Sequence, residues 1–280
     1  MQLNQRRLRG KIIGRYVNEL RHSSFFNVEF RRTLKECLKK LGDRKIVQVI
    51  CYGLGSFSNG VDVASRYQLA LLLLIYEYLS EHEGPLHPLI EIFDPSFEQL
   101  DKDTLLLFSN PGFKLIENNE YCARRFNSIG DINSCVLIYM PHLDKYLYNN
   151  LMGANWHVGS LTKLLILGNS FHEMVDHEPT NRCKQQLPYM YTLVHSFSDD
   201  IRQPNRRQKE KGSSSTFHSK ESANALVELT VDDGAFKHSD VFNNLAFHLI
   251  DTSWIANNSM RVQQSRIANW TYSTSWPSSE

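Results

Sequence analysis

Apolar side chains follow two alternating spacings along the chain. From Phe30 through Leu34 and Leu38 to Leu41 they recur every three or four positions, and Gly42 follows. That predicts an amphipathic helix with a glycine stop. Ile46-Val47-Gln48-Val49-Ile50-Cys51-Tyr52 is instead a β-branched run ending at Gly53, which predicts a buried strand. Val63 to Ser80 returns to helical spacing, with Tyr67, Ala70, Leu71, Leu74 and Tyr78 on one face. Leu69, Leu72 and Leu73 make that helix apolar nearly all round, so it should be covered on several sides. Leu89–Phe93, Cys135–Met140 and Leu164–Leu167 read as further strands and Phe113–Ile116 as a short one, with helices over Phe97–Phe108 and Asp144–Leu151. Continuous apolar strands alternating with helices mark a mostly parallel sheet covered on both faces. The expected fold is α/β: three-layer, with a Rossmann-like, doubly wound, mostly parallel sheet.

The pattern fades after Asp199. Residues 199–222 are rich in Arg, Lys, Gln and Ser and read as a basic flexible insertion. Within it, Arg206-Arg207-Gln208-Lys209-Glu210-Lys211 reads first as solubilising charge, with a nuclear-import or phosphate-binding patch as the sharper alternative. Apolar character returns at Val241–Ile250, whereas Asn257–Glu280 is polar and its Trp270 and Trp276 follow no period. The expected organisation is a helical extension over 1–45, an α/β core over 46–198, the insertion at 199–222, the C-terminal part of the core over 223–256 and a polar tail over 257–280.

Composition narrows the partners. The 280 residues carry 31 Lys+Arg against 30 Asp+Glu, a formal charge of +1, so no global field draws nucleic acid or anionic lipid. Five cysteines without a close pair argue against a disulfide framework or a zinc ribbon and fit a reducing compartment. The most apolar run, Leu69–Ile75, is far short of the roughly 20 residues that span a bilayer. No apolar stretch follows the Arg-rich start, so a soluble chain without a secretory signal is expected.

Ligands of open parallel sheets bind beyond the carboxyl ends of the strands, where strand order reverses. This sequence places Gly53, Gly55 and Ser56 after the first strand, Asp94 after the second, His142 after the third and Asn169 after the fourth. Gly53-Leu54-Gly55 has the strand–turn–helix context of a dinucleotide fingerprint, but Ser58 stands at the third glycine, and Phe57 at that of the methyltransferase form. The amides of Gly55 and Ser56 suit an anion near a helix start. The plainer account is a tight turn needing positive φ. Asp94 suits ribose hydroxyls, or simply opens the turn before Pro95. Gly168-Asn169-Ser170-Phe171-His172 approaches a nucleophile elbow, with His172 at the second glycine, and Asp232, Asp233 and His248 are only available as partners. Ser170 as a helix N-cap is simpler. No metal-ligand spacing and no complete catalytic motif occurs, so the cofactor is unknown and an enzyme is the lesser expectation.

One resemblance goes further than these partial motifs. Cys51-Tyr52-Gly53-Leu54-Gly55-Ser56-Phe57, Tyr67-Gln68-Leu69-Ala70 and Asp94-Pro95-Ser96-Phe97 are similar, in that order, to blocks of the sensitivity-to-red-light-reduced family. So are Tyr139-Met140-Pro141-His142, Leu147-Tyr148-Asn149-Asn150-Leu151, Leu167-Gly168-Asn169-Ser170-Phe171 and, more loosely, Phe242-Asn243-Asn244. The resemblance implies a regulator in a circadian-clock input pathway, cytoplasmic and nuclear, with animal relatives connected to regulation of heme biosynthesis. It implies no reaction and carries over no catalytic residue. A Cys-Pro pair, common in heme regulation, is absent, and His142, His157 and His172 are merely available as axial ligands.

Two function classes follow. One is a regulatory protein working through protein partners, with the sheet as scaffold. The other is a nucleotide- or S-adenosylmethionine-binding enzyme or sensor, with Gly53, Gly55, Ser56, Asp94, His142 and Asn169 around the pocket. Phe57, Phe97 and Tyr139 filling the mouth of the sheet would favour the scaffold.

Overall fold

The computed structural model describes residues 2–58, 63–82, 89–109, 111–196, 225–234, 236–265 and 272–274. The insertion, with Arg206–Lys211, lies outside the described residues, as do Trp270 and Trp276.

The chain opens with α1 (Gln2–His22), a π-helical turn (Phe25–Phe30) and α2 (Arg31–Leu41). Gly42 ends α2 at φ +67°, its amide donating back to the Leu38 and Lys39 carbonyls. Next come β1 (Lys45–Tyr52), α3 (Val63–His82), β2 (Leu89–Phe93), α4 (Gln99–Leu105) and β3 (Phe113–Leu115). Then follow β4 (Ser134–Met140), α5 (Lys145–Ala154), α6 (Val158–Leu161) and β5 (Leu164–Asn169). Three short helices, α7 (Phe171–Asp176), α8 (Thr180–Gln186) and α9 (Pro188–His195), precede β6 (Leu226–Thr230), β7 (Leu245–Ile250) and α10 (Thr252–Gln264).

The strands form one seven-stranded sheet in the order β3-β2-β1-β4-β5-β7-β6. The first five pair in parallel, and β7 runs antiparallel between β5 and β6. The sheet is mostly parallel and doubly wound, as the apolar runs predict. Alternate strand residues feed two cores. Val49, Cys51, Ile90, Leu137, Tyr139 and Leu167 join α1, α2 and α3 on one face. Ile50, Tyr52, Val136, Ile138, Met140 and Ile166 join the helices from α5 onward on the other. Both faces are covered, which explains why every residue of β4 is buried.

Several boundaries differ from the sequence reading. The helix expected over Phe97–Phe108 is confined to α4, because Leu107 and Phe108 bond three residues back in a tighter turn. The N-terminal stretch is helical, and its aromatic side chains are core: Phe25 stacks on Phe242 at 4.7 Å, and Phe30 lies 5.6 Å from Phe247 on β7. At the other end α10 crosses the boundary drawn at Asn257 and continues to Gln264. No helix among the described residues is long and apolar enough to cross a membrane.

Candidate functional site

Strand order reverses between β1 and β4, so the switch point lies where β1, β2, β4 and β5 end. The turn after β1 holds two left-handed glycines, Gly53 at φ +73° and Gly55 at φ +77°. Gly53 is also a close approach: a Cβ there would collide with the Leu143 side chain. At this first glycine of the turn, the position a dinucleotide fingerprint uses for the tight bend, the close neighbour is a leucine from the β4–α5 turn.

The amides after Gly53 do meet anions, and those anions belong to the chain. Gly55 N–H donates to Asp94 Oδ2 at 2.8 Å, while Asp94 Oδ1 accepts from the Ser96 amide at 2.8 Å and its hydroxyl at 2.6 Å. Asp101, on α4 and fully buried, takes the rest. Its Oδ1 accepts from the amides of Phe57 (3.1 Å) and Ser58 (2.8 Å), and its Oδ2 from the Ser56 hydroxyl (2.8 Å) and the Glu98 amide (2.9 Å). Buried Arg66 ties the same loop from α3, Nε donating to the Phe57 carbonyl at 3.0 Å. Phe57 and Phe97 pack edge to face at 6.0 Å, both buried, and the buried Tyr139 hydroxyl donates to the Gln68 carbonyl at 3.3 Å.

The other half of the site gathers the ends of β4 and β5. His142 sits at φ +53°, a conformation that costs a non-glycine residue about 1 kcal/mol or more. Its amide donates to Asn169 Oδ1 at 2.6 Å, and its Nε2 lies 2.8 Å from the Val241 carbonyl, so that nitrogen carries the proton. Asn169 Nδ2 reaches the Asn243 carbonyl at 3.5 Å, and the Ser170 amide donates to the Asn244 carbonyl at 2.8 Å. The Tyr148 hydroxyl donates to the Met140 carbonyl and accepts from the Asn169 amide at 3.0 Å. Burial pushes the Tyr148 and Tyr139 phenols and the Cys51 thiol upward, so all three stay neutral and act as donors or apolar filler.

Beside this lies a carboxylate that the sequence reading passed over. Glu228 on β6 accepts from the Ser170 hydroxyl at 2.5 Å and the Phe171 amide at 2.9 Å. His172 Nδ1 and His248 Nε2 each lie 3.2 Å from its Oε2. Burial pushes this carboxyl's pKa up, but His248, Ser170 and His172 outweigh burial and hold it well below the usual range. Ser170 Oγ meanwhile accepts from the Glu173 amide at 3.1 Å, which makes Ser170 the N-cap of α7. Its proton goes to a carboxylate rather than an imidazole, so the elbow-like sequence does not form a Ser–His pair here.

Of the six residues singled out from the sequence, Gly55 with Asp94 and His142 with Asn169 are in direct contact, and Ser56 turns to Asp101. Asp101 was legible only as the fourth residue of Glu98-x-x-Asp101, a helix-start pattern. Tyr148 and Glu228 gave no local signal, since their partners come from distant segments. Among the described residues no His, Cys, Asp and Glu cluster could hold a metal ion.

A doubly wound α/β domain whose described switch-point residues bond to one another and to neighbouring backbone is the class that fold and site define. The SRR1 domain matches residues 26–249, and the chain belongs to that family. It is 30% identical over 144 residues to the mouse SRR1-like protein, covering 51% of this chain and 52% of that one. It is 28% identical over 134 residues (47% and 42%) to the Arabidopsis thaliana Protein SENSITIVITY TO RED LIGHT REDUCED 1. The Drosophila melanogaster SRR1-like protein is 26% identical over 144 residues (50% and 45%). The chain thus spans about half the length of the curated relatives it matches. No solved structure matches it.

Proposed function

We propose that this chain is a regulatory protein, acting through protein partners in a circadian-clock input pathway, with the α/β sheet as its scaffold. Membership of the SRR1 family, with an Arabidopsis relative named for red-light sensitivity, is the observation that carries the reading. The internally bonded mouth supports it. Gly55, Ser56 and Asp94 spend their polar groups on one another or on Ser96 and Asp101, and His142 and Asn169 spend theirs on neighbouring backbone. A cytoplasmic and nuclear site of action and a link to heme biosynthesis belong to the same proposal. An effect on heme synthesis needs no bound heme. His142 and His172 already face Val241 and Glu228, and His157 accepts the Gly159 amide at 3.2 Å.

The test is expression of this chain in an Arabidopsis line lacking the relative, with rhythm period and red-light response as readouts. Restoration supports the proposal, whereas an expressed, folded chain that changes neither readout sinks it.

The strand order favours a second reading, a nucleotide or S-adenosylmethionine binder, because the switch point places Gly55 and Asp94 together where such sheets take ligands. A thermal-shift screen against nucleotides, nicotinamide cofactors, S-adenosylmethionine and hemin decides it. Ligand at a hundred times its Kd adds about 2.7 kcal/mol of stability. A saturable shift that Asp94→Asn removes supports this reading, and no shift with any compound overturns it.

A further inference from the structure

Asn150 lies on α5 with no exposed surface, yet its amide is not spent on the helix or the sheet. Nδ2 donates to the Ser273 carbonyl at 2.8 Å, and Oδ1 accepts from the Ser273 amide at 3.0 Å. One side chain therefore reads both backbone groups of one residue, as a neighbouring strand would. Such two-point pairing requires that residue's N–H and C=O to point the same way, a property of extended chain. The second Nδ2 proton goes to the Tyr121 carbonyl at 3.0 Å.

The surroundings are built around that carbonyl. Tyr121 and Cys122 are consecutive non-glycine residues in the left-handed region, at φ +47° and +58°. The turn is braced by Glu120, which accepts from the Tyr52 hydroxyl at 2.6 Å and from Arg124 at 2.8 Å. It is braced again by Asn155, which donates to the Arg124 carbonyl at 2.8 Å. The neighbouring Asn149 serves the fold instead, accepting from the Tyr189 and Met190 amides of α9. Ahead of the clamped segment, Trp156 Nε1 holds Ser265 Oγ at 3.0 Å, where α10 ends.

We propose that Asn150 and the Tyr121 turn form a peptide-binding site, filled here by the chain's own residues 272–274 and open to an extended segment of a partner protein when that strap lifts. The inference does not depend on the clock reading. Asn150 reads the backbone N–H and C=O of the clamped residue, so the site rejects proline there, which has no N–H. With the strap lifted the freed donor and acceptor of Asn150 turn to water, and an extended backbone, in cis or in trans, replaces those water contacts with two well-aligned hydrogen bonds.

The test uses the full chain and a fluorescein-labelled peptide of residues 269–277. Ser273→Pro removes the cis donor and opens the site, whereas in the wild type the tethered segment competes at an effective concentration of order millimolar. The expected result is saturable anisotropy with a Kd at least tenfold lower for Ser273→Pro than for the wild type, and no binding of a peptide carrying proline at the 273 position. Equal affinity for the two proteins, or equal binding of the proline peptide, overturns the proposal. A melting curve checks that Ser273→Pro is folded. If it is not, amide hydrogen exchange on the wild type decides: a protected Ser273 amide that exchanges faster on adding excess unlabelled peptide supports the site, and a rate unaffected by peptide overturns it.

Discussion

The Tyr148 hydroxyl stands where a side chain at residue 168 would begin. A Cβ built on Gly168 lies 2.5 Å from that oxygen and 2.7 Å from Cε1 of the same ring. The oxygen is held there by Met140 and Asn169, so it cannot simply turn away. Gly168→Ala should cost about 1–3 kcal/mol through overpacking at the β5 end. Urea unfolding measures it, and unchanged stability would show that the ring moves freely.

Asp101 ties the loop after β1 to the start of α4. Asp101→Asn keeps the size but turns one acceptor into an N–H that faces amide and hydroxyl donors. At about 1–3 kcal/mol for each buried polar group left unmatched, Asp101→Ala and Asp101→Asn should both destabilise strongly. The two variants are compared by thermal melting, and a melting temperature within a degree of the wild type would contradict the role given to this carboxylate.

Gly53 and Leu143 form a second tight pair, and here a double-mutant cycle is informative. Gly53→Ala adds both a clash with Leu143 and an L-residue at positive φ. Leu143→Ala removes the clash and leaves the backbone cost of about 1–2 kcal/mol. The double variant should therefore lose less stability than the sum of the singles, by about 0.5 kcal/mol or more. Strict additivity would mean that the clash relaxes at no cost.

Glu228 predicts a pH dependence. Its folded pKa lies below the usual 4.5, so the folded state holds the carboxylate more firmly than the unfolded chain does. The stability it contributes is complete above about pH 4.5 and is lost as the pH falls below that. Glu228→Gln should flatten the acid limb of stability against pH between 7 and 3. Parallel curves for the two proteins would remove Glu228 from the account.

The parallel strands were legible because burial on both faces leaves short, continuous apolar runs rich in β-branched residues and ended by Gly or Pro turns, whereas the Leu-rich run Leu69–Ile75 sits within a longer helical pattern. Leu226–Thr230 was not, since an edge strand with Glu228 in its centre carries a mixed pattern. The short helices α7, α8 and α9 were missed because segments of six to eight residues give too few turns for a period to show. Of the site, the glycines, Asp94, His142 and Asn169 could be placed because they end strands. Asp94's bond to the Ser96 amide two residues on was legible as the turn before Pro95, whereas the partners of Gly55, Ser56, His142 and Asn169 were not, because they are set by packing between segments far apart in the chain.

The antiparallel β7 has a consequence for how the chain is made. It lies between β5 and β6, so the outer edge of β5 has no partner until synthesis has passed Ile250. That edge, Leu164-Leu165-Ile166-Leu167, is apolar, and unpaired apolar edges template association with other chains. A ribosome therefore carries a nearly complete parallel sheet with one open flank while the whole interval to β7 is added. A chain interrupted there has five of its strands and an aggregation-prone border, which makes the last part of the sequence the guardian of the first.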